Sequence, residues 1–251
     1  MLHWAAQMPT WDLHWETGMY PGETLAFLAL CDVTGAVSII ESGRGLHGYS
    51  TQVLGEYAER TGTQVVSVCL ENSPQHVASV RRTLSRYRQV ECLTGDIWKV
   101  LPRVAARLPG PMALVLDGPK QFEANRVSLL ASALFPIVAV GQHNSDPGLA
   151  FTEEFARFFP GAYHYEDLLL ADSAEWATFK RWEREAVKGY ELPGRQGRSL
   201  SRSSMVLAAI PPGRRPASSL FAVEGTGARI AAFTTLMKWH LASTSPMRRK
   251  P

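Results

Sequence analysis

The sequence predicts an α/β protein built on a doubly wound sheet, and three observations predict it. Apolar, β-prone runs alternate with helical patterns between Val37 and Val140, the order that winds strands into one sheet with helices on its faces. One run, Met112 to Leu116 (Met-Ala-Leu-Val-Leu), is apolar at every position, as expected of a strand buried on both sides. The stretch from Val37 to Ser50 reads as strand, glycine-rich turn and helix: an apolar run ends at Glu41, Gly43, Gly45 and Gly48 follow, and a helical pattern opens at Tyr49 and Ser50. In an open α/β sheet a ligand sits beyond the carboxyl end of such a strand. Glycine lets the turn take positive φ and lets backbone come close to a ligand, and a new helix offers N–H groups to anything negative. The stretch reads as a nucleotide or nucleoside cradle, against the plainer reading of a tight turn with no ligand.

The remaining elements follow in order. Glu23 to Asp32 is a helical pattern, Val37 to Ile40 the first strand, and Tyr49 to Thr61 a helix with Val53, Leu54, Tyr57 and Ala58 at helical spacing. Gln64 to Leu70 is strongly β-prone and ends at Glu71. Pro74 opens a helix through Val77, Val80 and Leu84; Val90 to Leu93 is a third strand, with Asp96 just beyond it, and Ile97 to Arg107 a helix. The fourth strand, Met112 to Leu116, delivers Asp117-Gly118-Pro119-Lys120 to its carboxyl end, a helix covers Glu123 to Leu134, and the fifth strand, Ile137 to Val140, leads to Gly141-Gln142-His143-Asn144. Further on, Phe151 to Phe159 and Ala174 to Ala186 are helical patterns, Tyr163 to Tyr165 and Met205 to Ile210 are strands, and Ala228 to Leu241 is an amphipathic helix. The expected organisation is an aromatic and helical segment over residues 1–36, a ligand-binding α/β domain over 37–213, and an appendage over 214–251.

Composition narrows the class. The chain has 251 residues with net charge +3, enough for a full core and too nearly neutral to point to nucleic acid. Cys31, Cys69 and Cys92 lack CxxC spacing and sit in or beside apolar segments, so they read as buried thiols and not as a disulfide or zinc framework. The first residues lack the basic start and apolar core of a secretory leader. Leu25 to Cys31 is apolar but far short of the roughly 20 residues that span a bilayer. A soluble, cytoplasmic protein with no membrane partner is expected.

Together these residues resemble the class I S-adenosylmethionine-dependent methyltransferases, and more closely the metal-dependent O-methyltransferases of the catechol and caffeoyl-CoA type. The resemblance covers about residues 37 to 144. Its first part is the acid, glycine turn and Gly-Tyr-Ser of Glu41, Gly43, Gly45, Gly48, Tyr49 and Ser50. It implies that Ser50 and nearby N–H groups hold the cofactor's carboxylate, that Glu41 lies near its amino group, that Glu71 binds the ribose, and that Asp96 lies near the adenine. Its second part is Asp-x-x-Lys after the fourth strand, at Asp117 and Lys120, with His143-Asn144 after the fifth, 26 residues beyond Asp117. It implies a divalent ion (Mg, Mn or another) on Asp117, His143 and Asn144, and Lys120 as acceptor of the substrate's proton. The implied reaction methylates a hydroxyl of a small molecule, with Lys120, Asp117 and His143 as the catalytic set.

Three departures stand out. His143 replaces the family's usual Asp, and imidazole suits Zn, Mn or Fe better than Mg. The glycine turn is one residue longer than in the catechol type, and Cys69 stands where an acid is common. Two other readings stay open. Gly43-x-Gly45-x-x-Gly48 fits a dinucleotide fingerprint literally, with Glu71, 23 residues past Gly48, as its ribose acid; this gives an NAD-dependent oxidoreductase, although no hydride-transfer signature accompanies it. The change at His143 also fits a methyltransferase-like domain that binds without turnover. Asp117-Gly118-Pro119 is an ordinary turn sequence, and the arginines at 195, 198, 202, 214 and 215 read as a solvated loop before an RNA or anion surface. The apolar pattern of Ala228 to Leu241 offers a homodimer contact.

Overall fold

The computed structural model describes residue 19 and residues 21–44, 48–70, 74–145, 147–165, 205–211 and 225–244. Its elements are α1 (Pro21–Thr34), β1 (Ser38–Ser42), α2 (Tyr49–Thr61), β2 (Gln64–Cys69), α3 (Pro74–Leu84), β3 (Val90–Thr94), α4 (Ile97–Arg107), β4 (Met112–Leu116), α5 (Gln121–Leu134), β5 (Ile137–Gln142), α6 (Ala150–Phe158), β6 (Tyr163–His164), β7 (Val206–Ala209) and α7 (Thr226–Thr244). The helical pattern at Ala174 to Ala186, the aromatic residues Trp4, Trp11 and Trp15, and the arginines of the 195–215 segment lie outside the described residues.

The strands form one sheet in the order β3-β2-β1-β4-β5-β7-β6. β3 through β5 run parallel, and β7 is antiparallel to both β5 and β6. The chain winds outward from β1 to β2 and β3, then returns to lay β4 on the other side of β1. The crevice between β1 and β4 is therefore the point at which strand order reverses, the usual ligand position in such sheets. β1 and β4 are buried at all five positions, which explains why β4 reads as a continuous apolar run rather than an alternating one.

Alternation along each strand divides the core in two. Ile39, Ala113, Val115 and Ala139 pack with α1 and α2, while Ile40, Leu114, Leu116 and Val140 pack with α4, α5 and α7. The predicted ends of α4 and β4 agree with the observed ones. β1 and β5 run two residues further than the sequence suggests, to Ser42 and Gln142. Pairing carries them on: Glu41 lies beside Ser67 and Val115, Ser42 beside Val68 and Leu116, and Gln142 beside Leu116 and Val206. Glu41 is thus inside the strand and not at its exit.

The C-terminal α7 lies against α4 and α5. Its Phe233 and Met237 are fully buried in the same core as the sheet, with the Phe233 ring 6.4 Å from that of Phe135. These two side chains of the patterned Ala228 to Leu241 segment thus face inward. Among the described residues no helix is long and apolar enough to cross a membrane.

Candidate active site

The ends of β1, β4 and β5 are tied together by backbone, and this sets the site. Asp117 N–H donates to Ser42 O at 2.7 Å, Gly43 N–H to Val68 O at 2.9 Å, and His143 N–H to Leu116 O at 2.9 Å. Gly43 sits at φ 90°, and a Cβ built on it would lie 2.7 Å from Gly118 N and 2.8 Å from the Asp117 carbonyl carbon. Glycine here serves the close approach of two protein loops; backbone atoms cannot yield to a methyl group as a flexible side chain would.

Beneath the glycine turn lies a buried polar cluster. The Glu41 carboxylate accepts hydrogen bonds from Ser50 Oγ (2.6 Å), Thr51 Oγ1 (2.5 Å) and Ser67 Oγ (2.6 Å). Arg44, only 2 % exposed, donates from Nη1 to Ser67 O at 2.8 Å and from Nη2 to Leu93 O at 3.3 Å, so it reaches from the end of β1 across to β3. Burial pushes the Glu41 carboxyl pKa above its ordinary value, while the three hydroxyls and the Arg44 charge pull against that rise. The expected roles shift accordingly. Ser50 turns its hydroxyl inward onto Glu41, and Glu41 is held by protein donors. At the start of α2 Gly48 takes the left-handed conformation (φ 65°), and no side chain caps the helix.

At the other end of the crevice the second group of predicted residues converges. Asp117 Oδ1 accepts from Lys120 Nζ and from Asn144 Nδ2 at 3.2 Å, and His143 Nε2 stands 3.8 Å from the same oxygen. Asn144 reaches back because it adopts positive φ, 59°, a conformation Asn tolerates better than most residues. On its far side His143 Nδ1 lies 3.0 Å from Glu23 Oε2. Both side chains are buried. Burial pushes the imidazole pKa down, but the charge and hydrogen bond of Glu23 and the charge of Asp117 outweigh it, so the net direction is upward.

The remaining predicted residues are further apart or undescribed. Asp96 precedes α4 beyond β3 and pairs with Lys99 at 3.6 Å. Gly45 and Glu71 lie outside the described residues. Sequence reasoning missed Glu23, Arg44, Thr51 and Ser67. Glu23 carried one signal, a lone acid at the head of an apolar helix. Arg44, between two glycines, carried none.

The arrangement can be tested against a divalent ion. Such an ion needs donor atoms of Asp117, His143 and Asn144 turned to one point. Instead Asp117 Oδ1 is engaged by Lys120 and Asn144, and the imidazole is paired with Glu23 and raised in proton affinity. Among the described residues no group of three or more His, Cys, Asp or Glu is placed to hold a metal ion. As arranged, these residues do not fit the ion that the sequence resemblance implied.

No protein-family model matches the chain, and no curated protein matches it. Several solved structures are similar to it. An O-methyltransferase from Bacillus cereus in complex with SAH is 17 % identical over 82 % of this chain and 86 % of its own, with a TM-score of 0.45. The O-methyltransferase TomG from Streptomyces achromogenes, in complex with SAM, is 16 % identical over 79 % and 83 %, with a TM-score of 0.41. The SAH-bound Podospora anserina methyltransferase PaMTH1 is 16 % identical over 74 % and 77 %, with a TM-score of 0.39.

Proposed function

We propose that the protein is an S-adenosylmethionine-dependent methyltransferase that acts on an oxygen of a small molecule. One observation carries this reading: Asp117, Lys120, His143 and Asn144, from the ends of two adjacent strands, meet beside the crevice where strand order reverses. An acceptor hydroxyl placed there faces a carboxylate, an ammonium and an imidazole at once.

S-adenosylmethionine, when bound, supplies an electrophilic methyl group on a sulfonium. The uncapped start of α2 beside Gly48 suits the cofactor's carboxylate, because N–H groups and the helix dipole both favour an anion there. Glu41 anchors the start of α2 through the hydroxyls of Ser50 and Thr51. The protein's part in the reaction is to align the acceptor oxygen with the methyl carbon, which can supply much of the rate. The cofactor would leave as S-adenosylhomocysteine, and the acceptor's hydroxyl proton would be taken up by the Asp117–Lys120–His143 cluster, which converges on Asp117 Oδ1. No step is routed through a metal ion. In this reading the binding unit spans residues 37–213, with α1 and α7 supporting it from either side.

The reading is tested by transfer of tritiated methyl from S-adenosylmethionine to a panel of phenols, catechols and sugar hydroxyls. Labelled product that persists in the presence of a chelator is expected from at least one class. If no acceptor is labelled while S-adenosylhomocysteine binds, the protein is a binding relative and not an enzyme.

A further inference from the structure

We propose that Glu23 is a positioning residue that fixes the ring of His143 and presents its Nε2 to the acceptor side of the site. This inference rests on the methyl-transfer reading above, and deepens it.

Glu23 lies in the first turn of α1 and is completely buried. A buried carboxylate is costly unless hydrogen-bonded to a suitable partner. His143 Nδ1, 3.0 Å away, is its ion-pair partner. The place of α1 over β5 is set by packing: a Cβ added to Gly141 would stand 3.0 Å from Phe27 Cδ2, one helical turn beyond Glu23. The backbone of His143 is held from the other side by its N–H bond to Leu116 O. The ring is thus clamped at two points.

The chemical consequence concerns which nitrogen faces the site. An imidazole that donates Nδ1–H to a carboxylate has its tautomer and its ring plane set by that bond. Nε2 is then the nitrogen turned toward Asp117 Oδ1, at 3.8 Å. That gap is too long for a hydrogen bond between the two groups. Glu23 is paired with His143 at 3.0 Å, and it is through that ring that it acts on the site.

The test combines Glu23→Gln, Glu23→Leu and Glu23→Asp in the full chain. The ring nitrogens of ¹⁵N-histidine-labelled protein are observed by NMR, and His143→Gln assigns the signal. In the wild type the Nδ1 proton is expected at low field, as for a hydrogen bond to a carboxylate. Glu23→Gln, nearly isosteric and still able to accept, should move that resonance upfield and lower kcat roughly tenfold, with KM for S-adenosylmethionine unchanged. Glu23→Leu should lose the resonance and about 10²-fold in kcat, the low end of what a positioned acid or base contributes. Glu23→Asp, which restores the charge, should recover part of both. An unmoved Nδ1 resonance in a folded Glu23→Gln protein overturns the inference. Calorimetry with S-adenosylhomocysteine separates the failures: wild type that does not bind it sinks the methyl-transfer reading, whereas normal binding with an unmoved His143 signal sinks the role of Glu23 alone.

Discussion

Asp117→Ala is expected to lower the rate of methyl transfer by about 10³-fold, within the range for a residue that organises acid–base chemistry. Asp117 is where the site's side chains converge: Lys120 and Asn144 both donate to Oδ1, and His143 Nε2 faces it at 3.8 Å. Its backbone is fixed by Ser42 O, so removing the carboxylate should leave β4 and the crevice intact. Lys120 and His143 would then face each other without the charge between them, and Lys120, half-exposed, would swing to solvent. Lys120→Ala should also lower the rate, by a smaller factor, because Asp117 and His143 remain. Initial rates with labelled cofactor on an identified acceptor check both. Intact activity in the two variants would show that the chemistry occurs elsewhere.

Glu41→Ala should destabilise the protein by about 3 kcal/mol, the scale for removing one partner from a buried charged cluster. Three hydroxyls lose their acceptor and the buried Arg44 guanidinium loses a nearby compensating charge. For a chain of this size that corresponds to a fall in Tm of roughly 6–12 °C. Glu41→Gln should cost about 1 kcal/mol or less. An amide still offers an oxygen to the hydroxyls. Urea unfolding of both variants distinguishes the two effects. Equal losses would mean that negative charge, and not the acceptor, holds the cluster.

Much of the sheet was legible because its signals are local. A run such as Met112 to Leu116 has no polar position to expose, and the turn residues around it mark its ends. The converging ends of β4 and β5 were legible for the same reason: Asp117, Lys120, His143 and Asn144 each sit just past a strand, and a parallel sheet aligns strand ends. What escaped were contacts between residues distant in sequence. Glu23 meets His143 across 120 residues, a pairing that depends on α1 packing over β5. Glu41 read as a strand-end acid open to a ligand because its three hydroxyl donors come from α2 and β2. Arg44 read as part of a turn, although its guanidinium is anchored on β2 and β3. The expected metal triad shared this limit: spacing can align Asp117, His143 and Asn144, but it does not reveal that Glu23 and Lys120 have already engaged two of them.

The central claim, that the crevice between β1 and β4 holds an S-adenosylmethionine-type cofactor, is tested most directly by calorimetry. The purified protein would be titrated with S-adenosylhomocysteine and, separately, with NADH, each with and without a divalent metal. Binding of S-adenosylhomocysteine with Kd on the order of 1–10 μM, or about −7 to −8 kcal/mol, is predicted. The same heat is expected with or without metal, and none with NADH. Binding of NADH alone would contradict the account and make the glycine turn a dinucleotide site.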